Sequence, residues 1–246
     1  MVRIEHDAES DKADYVWVTY LKKGKIFRIR ARSVVAASGS FMSHRIVKAL
    51  PADYADAYKS FFFSPVLVVN VAVTSWKFLD KLGITACRWF KGFGFSCNIR
   101  RPMVIGDYQP PLDPNKPAII TFYVPFYYPG RPVKDQGKKG RLELLSTSYR
   151  TYELKIKDQM VELFGKTGFN PDKDIAGIIL KRWGHAYVNP APGFYFGKDG
   201  QSGPREIIRK RFGRIAFTHS ELNGYQHWAG AVAEGQRAAK QIMDVL

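Results

Sequence analysis

The chain has 246 residues, is 46% hydrophobic and 14% aromatic, and so holds enough apolar surface for a sizeable core, which excludes a disordered chain. A net charge of +16 suits nucleic acid, anionic lipid or an acidic protein. The basic residues are scattered in short clusters with no nucleic-acid motif around them, which argues against a polyanion-binding module.

The N-terminus shows no charged-then-apolar leader pattern, so the sequence assigns no compartment. Val2 to His6 alternates, Asp7 to Asp14 reads as an acidic turn, Tyr15 to Tyr20 alternates again, and Ile26 to Ala31 resumes after a turn at Gly24. This predicts a three-stranded meander with one face buried. It also suggests a chain that opens in the middle of a fold, since nothing precedes the first strand to cover it. Ser33 to Gly39 is a short apolar run ended by Ser38-Gly39, as expected of a strand buried on both faces. A helix is predicted from Ser40 to Leu50, stopped by Pro51, then a second from Ala52 to Ser60.

Phe61 to Thr74 is the longest apolar run. It falls short of the roughly 18 residues of a membrane span, carries Ser64, Pro65 and Asn70, and reads as a strand. From Ser75 to Pro129 the sequence is irregular and aromatic, with a strand-like piece at Ala118 to Val124. Cys87 and Cys97 lack CxxC spacing and read as buried structural thiols rather than a redox pair. The aromatic cluster Phe122 to Tyr128 suits a pocket wall, an interface or ordinary core. Tyr127 to Lys139 is rich in Pro, Gly and charge, and predicts a loop. Arg141 to Phe164 has apolar residues at three- and four-residue steps, predicting one long amphipathic helix. A strand follows at Ile175 to Leu180, and Pro190 to Pro204 reads as a turn region. The clusters Lys22-Lys23-Gly24-Lys25, Lys138-Lys139-Gly140-Arg141 and Arg209-Lys210-Arg211 are each expected beside a turn or strand end.

The last stretch predicts a strand at Gly213 to Thr218, a polar turn at His219 to Gly224, and a helix. That helix is expected to present Trp228, Ala231, Val232, Gly235, Ala238, Ala239, Ile242 and Met243 on one face. Its N-terminus offers unpaired N–H groups, and the small residues Ala229, Gly230 and Ala231 leave room for a planar ring. Glu221 is placed to accept hydrogen bonds from ligand hydroxyls. The bland alternative is a strand-to-helix packing unit with Gly for close contact. The five histidines, His6, His44, His185, His219 and His227, show no HxxH or HExxH spacing for a metal. No nucleophile elbow, phosphate loop or paired-carboxylate signature is present.

Gly213-Arg214-Ile215-Ala216-Phe217, Ser220-Glu221, Gly230-Ala231 and Glu234-Gly235 with Arg237-Ala238-Ala239 resemble the C-terminal FAD motif of flavin amine oxidases. Ala31 to Gly39 resembles that family's middle motif, and Lys181 to Tyr187 resembles the bacterial spermidine-dehydrogenase-like branch. The resemblance implies FAD as cofactor, with Gly213, Arg214, Ser220, Glu221, Trp228, Ala229, Gly230 and Ala231 as its contacts. It implies an amine substrate facing Trp183, His185 and Tyr187, with hydride transfer to the flavin. A +16 chain repels a polycation unless the cleft is locally acidic, so no particular amine is named. The family's opening GxGxxG is absent, and Gly92-Phe93-Gly94 does not replace it.

The expected architecture is therefore α/β: a partial FAD-binding, Rossmann-like sheet plus a mixed-sheet substrate domain, incomplete without an N-terminal half on a second polypeptide. Residues 1–50 and 188–246 are expected to form the FAD-binding part and residues 51–187 the substrate part. Residues 33–38 and 214–218 should be neighbours in one incomplete sheet, and residues 61–74 should lie in another. The alternative is a scaffold or assembly subunit that keeps the flavoprotein shape without cofactor.

Overall fold

A computed structural model describes residues 1–99, 104–108 and 113–246. The chain divides into two units, Met1–Phe63 with Tyr187–Leu246, and Ser64–Ala186. The expected first break at residue 50 thus lies at 63, because Tyr54, Tyr58 and Phe61 pack in the core of the first unit rather than the second.

In the first unit, β1 (Arg3–His6), β2 (Val16–Lys22) and β3 (Lys25–Ala31) form the antiparallel meander. The β2–β3 turn places Lys23 and Gly24 at φ 49° and 75°, the left-handed pair of a two-residue hairpin. The acidic turn is closed by the Asp7 carboxylate, which accepts the N–H groups of Asp14 and Tyr15. The expected buried face is only half present. Ile4 and Val16 are fully buried, but β3 is exposed along nearly its whole length, with Ile26 72% and Ile29 51% accessible. Next come β4 (Val34–Ala36), α1 (Ser40–Ile46) and α2 (Ala52–Lys59). The first helix ends four residues before the predicted Leu50, as Val47 turns extended and bridges Ile4.

The second unit is built on β5 (Phe63–Val73), whose Leu67, Val69, Val71 and Val73 point into its core. A short helix α3 (Lys77–Asp80) follows, then β6 (Ala86–Arg88), β7 (Ser96–Ile99) and β8 (Ala118–Pro125). Parts of the irregular stretch, residues 100–103 and 109–112, lie outside the described residues. The predicted loop at 127–139 is replaced from residue 133 onward by α4 (Val133–Ser146), despite Gly137 and Gly140. Packing overrides propensity there: a Cβ on Gly140 would lie 2.8 Å from Phe126 Cβ and 2.9 Å from Pro65 Cγ, so the glycine lets the helix lie against a strand. Lys138 to Arg141 is therefore mid-helix, not beside a turn.

The single long helix predicted over 141–164 is two, because Thr147 turns extended and Ser148 caps α5 (Tyr149–Phe164) by accepting the Thr151 N–H at 3.0 Å. After α6 (Pro171–Asp174) comes β9 (Ile175–Val188), which extends the predicted strand through Lys181 to Tyr187. The sheet order is β6-β7-β8-β5-β9, with β5–β8, β6–β7 and β7–β8 antiparallel. Its one face is covered by α5 residues Tyr152, Ile156, Met160 and Phe164.

The chain then returns to the first unit with α7 (Pro204–Arg209), β10 (Ile215–Phe217), a 3-10 turn at Ser220–Asn223 and α8 (Trp228–Met243). β10 pairs parallel with β4, Val34 opposite Ile215 and Ala36 opposite Phe217, as expected for residues 33–38 and 214–218. Ile215, Phe217, Tyr54, Tyr58 and Phe194 share the core beneath this pair. The fold is mixed α/β with several sheets, as the sequence implies.

Candidate functional site

Two parallel strands end together, and the loops that leave them meet. Ligands in open α/β sheets gather outside the carboxyl ends of the strands, so this is the place to look. From β4 come Ser38, Gly39 and the start of α1; from β10 come Thr218, His219, Ser220 and Glu221. Glu221 is only 2% exposed, and its carboxylate accepts the Ser40 N–H at 2.7 Å. Gly39 permits this approach, since a Cβ there would stand 3.0 Å from Glu221 Oε1 and from the Phe41 ring. His219 Nδ1 accepts the Glu221 N–H at 3.3 Å. That nitrogen then has no proton for Glu221 Oε1, 3.4 Å away, so the contact is no ion pair in this tautomer. Ser38 and Ser43 hydroxyls bond at 2.8 Å.

Beside them the Tyr58 hydroxyl is buried without a hydrogen-bond partner among the described residues. Burial, then the nearby Tyr54 and Glu221, push its phenol well above the usual range. Ser38, Ser43, Tyr58, Thr218 and His219 enclose a space of about one water, the ordinary remedy for such a hydroxyl.

Helix α8 closes the site. His227 caps it: Nδ1 accepts the Gly230 N–H at 3.2 Å and the carbonyl accepts the Ala231 N–H at 3.1 Å. Among the described residues no partner faces the N–H groups of Trp228 and Ala229, and Trp228 is 81% exposed. Gly230, by contrast, is buried. A Cβ on it would meet Asn223 Nδ2 at 2.8 Å, and Asn223 Nδ2 donates to its carbonyl at 3.1 Å. The smallness of Gly230 thus serves the packing of the helix on its own preceding turn, the bland alternative, while Trp228, Ala229 and Ala231 face outward. Further along, Glu234 is 2% exposed between Arg237 at 2.8 Å and Arg209 at 3.2 Å. Arg237 also donates to the Phe217 carbonyl at 2.5 Å, fixing the helix to the end of β10.

Gly213 and Arg214 lie at the other end of β10. Gly213, at φ +53°, fits against Ser10 and His6, where a Cβ would come within 2.4 Å of the Ser10 carbonyl oxygen. Arg214 donates to the carbonyls of Ala13 and Val245, both at 2.6 Å. These contacts anchor the strand.

The remaining sequence candidates lie in the strand β9. Ile178, Leu180 and Arg182 face the covered side of the sheet: the first two pack on the core, and Arg182 stacks over Tyr152. By strand alternation, Trp183, His185 and Tyr187 share the opposite face. Trp183 is 57% exposed and Tyr187 42%, while His185 is half-buried and has interactions of its own.

Sequence reasoning missed Ser40, Tyr58, His219 and His227. Histidine is not among the usual capping residues Ser, Thr, Asp, Asn and Gly, so neither His219 nor His227 carries a sequence signal as a cap. Among the described residues there is no metal-binding group of His, Cys, Asp and Glu and no helix long and apolar enough to cross a membrane.

The sequence matches no protein-family model and no curated protein. Solved structures do match. Cyclohexylamine oxidase from Brevibacterium oxydans IH-35A superposes with TM-score 0.66 at 18% identity, over 99% of this chain and 47% of that one. Putrescine oxidase with bound putrescine gives TM-score 0.65 at 16% identity, over 99% of this chain and 48% of that one. A triple mutant of putrescine oxidase made to redesign its cofactor binding gives 0.67 at 16% identity, over 99% and 48%. The chain has the fold of these amine oxidases, and it spans about half the length of the chains it matches.

Proposed function

We propose that this chain is the C-terminal half of an FAD-dependent amine oxidase or dehydrogenase, nearest the spermidine-dehydrogenase-like branch, and that a second polypeptide supplies the GxGxxG segment. The observation that carries the reading is the parallel β4–β10 pair with Glu221 held across its carboxyl end by the Ser40 N–H. A two-stranded sheet is marginal alone, and further strands on its open edges would complete a dinucleotide fold.

The residues fit a flavin in part. Trp228, Ala229 and Ala231 offer an open surface at a helix start, and the Trp228 and Ala229 N–H groups suit an electron-rich ring edge. Glu221 stays near a backbone amide, as a carboxylate close to a pyrophosphate must, with Ser220 beside it. Gly213 and Arg214 act at a distance, by holding β10. When bound, the flavin would supply the hydride acceptor for oxidation of a C–N bond. The chain's own part is to hold the amine: Trp183 and Tyr187 wall one side of the substrate and exclude water, and His185 orients it by hydrogen bonding.

Co-expression with a chain carrying GxGxxG, followed by purification and an absorbance scan, tests the reading. A stable complex with a flavin spectrum is expected. A stable complex without flavin favours the scaffold subunit, and no complex at all sinks the shared-cofactor arrangement. In the complex, Ala231→Trp should expel the flavin by filling the outward face, while Ala229→Ser should keep it.

A further inference from the structure

Cys87 and Cys97 stand opposite each other on neighbouring antiparallel strands, β6 and β7, at the edge of the five-stranded sheet. Their Sγ atoms are 3.5 Å apart and share a hydrogen bond. The flanking ladder bonds tell which kind of pair this is. Trp89 N–H bonds to Phe95 O and Ile99 N–H to Thr85 O, two positions away on either side. Hydrogen-bonded and open pairs alternate along an antiparallel ladder, so Cys87 and Cys97 form a hydrogen-bonded pair, whose Cα atoms stand about 5.5 Å apart. A disulfide asks for a Cα separation of roughly 4.4–6.8 Å, which this pair meets, and a Cβ separation of roughly 3.5–4.5 Å, which facing residues of a ladder, about 4.5–5.5 Å apart, closely approach. Bond formation therefore needs rotation about the two χ1 angles and a small closing of the two strands.

The two thiols are also unequal. Cys97 is 2% exposed and packs in the core beside Phe122, while Cys87 is half-buried and reachable from solvent. The hydrogen bond donated by Cys97 favours the Cys87 thiolate, holding the Cys87 thiol below its ordinary range, and the same hydrogen bond, with burial second, pushes Cys97 up. An accessible, thiolate-favouring sulfur with a second thiol behind it is the arrangement of an attacking and a resolving cysteine.

We propose that Cys87 and Cys97 are a reversible dithiol–disulfide site, oxidised by a peroxide. The Cys87 thiolate attacks one peroxide oxygen and breaks the O–O bond, giving a sulfenic acid and, after protonation, one water. The Cys97 sulfur then attacks Cys87 Sγ, the Cys97 proton leaves with the departing hydroxide as a second water, and the S–S bond forms. Two thiols lose two electrons and the peroxide gains them; a dithiol reductant reverses the step. The product staples β6 to β7 across a short loop.

The test is to expose the full chain to hydrogen peroxide, block remaining thiols with iodoacetamide, and map digested peptides by mass spectrometry. A peptide linking Cys87 to Cys97, lighter by two hydrogens and restored by dithiothreitol, is expected. Orientation in the ladder should make it form on the order of tenfold faster in the folded chain than in urea. Cys97→Ser should lose the link and carry Cys87 on to sulfinic acid; Cys97→Ala serves if the serine variant fails to fold. Oxidation of Cys87 to sulfinic acid in the wild-type chain, a disulfide between two chains, or equal rates with and without urea would each overturn the proposal.

Discussion

His6 shows how one side chain ties pH to stability. Its Nε2 accepts the Arg214 N–H at 3.1 Å and its ring stands edge-on to Phe212, so the folded chain holds it neutral. Burial lowers its pKa below the ordinary 6.5, against smaller raising contributions. Just below pH 6.5 the unfolded chain therefore binds a proton that the folded chain does not. Stability should fall as pH drops from 6.5 to the folded pKa, and level off beneath it. Urea midpoints measured on either side of pH 6.5 check this, and His6→Gln should flatten the slope. Glu221→Ala makes a second prediction at this scale. It strands the buried Ser40 N–H, so it should cost about 1–3 kcal/mol, while Glu221→Gln, which keeps an acceptor, should cost less. Thermal melts of the two variants give the ranking. The family resemblance singled out Glu221 as a ligand contact. Its partner was not legible, because the bond joins residues 181 positions apart and uses a backbone N–H, which leaves no trace in residue identity.

At the scale of elements, period served strands better than helices. β4, β5, β8 and β10 fall where apolar runs place them, because a run of Val and Ile between turn residues has few other uses. The 141–164 pattern holds only within the second helix, where Tyr152, Ile156 and Met160 are buried; Leu142, Leu145 and Tyr149 are exposed, because Ser148 ends one helix by starting another and the face does not continue across the break. Helix α8 was read with its face right in part: Ala238 and Ile242 are buried as expected, but Gly230 and Glu234 share their face. The buried positions are Gly230, Glu234, Ala238 and Ile242, a strict four-residue step, and the expected Trp228, Val232 and Met243 face outward. A glutamate in the middle of a buried stripe defeats an apolar-period argument; only its two arginine partners explain it. Removing the carboxylate by Glu234→Ala leaves Arg237 and Arg209 without it, and should cost about 3–5 kcal/mol. Hydrogen exchange should show the loss as faster exchange in α8. Gly140→Ala should destabilise α4 although alanine is the better helix former, because its Cβ would press on Phe126 and Pro65.

For the molecule as a whole, apolar surface is spread over β3, with Ile26 and Ile29, and over the outer face of α8, with Trp228 81% and Met243 71% exposed. Such surface calls for a cover, and the shared-cofactor reading supplies one. The chain purified alone is expected to self-associate in sedimentation velocity, and the complex to sediment as one species with a higher melting temperature. The meander was legible and its exposure was not, because alternation reports which residues share a face and not whether anything lies against it.

The division into Met1–Phe63 with Tyr187–Leu246 and Ser64–Ala186 also sets an order of events during synthesis. The second unit is one continuous stretch and has all its strands once Ala186 has emerged. The first cannot form its parallel pair until β10 arrives, so β4 must wait for a partner made long after it. At roughly 5–20 residues per second that wait is on the order of ten seconds or more, during which Val34 and Val35 are unpaired and open to chaperones. A nascent chain stalled near residue 225, with Ala186 clear of the ribosome and β10 still inside it, should therefore protect Ser64–Ala186 from protease and leave Met1–Phe63 cleavable, and releasing the chain should bring both ends of the first unit under protection together.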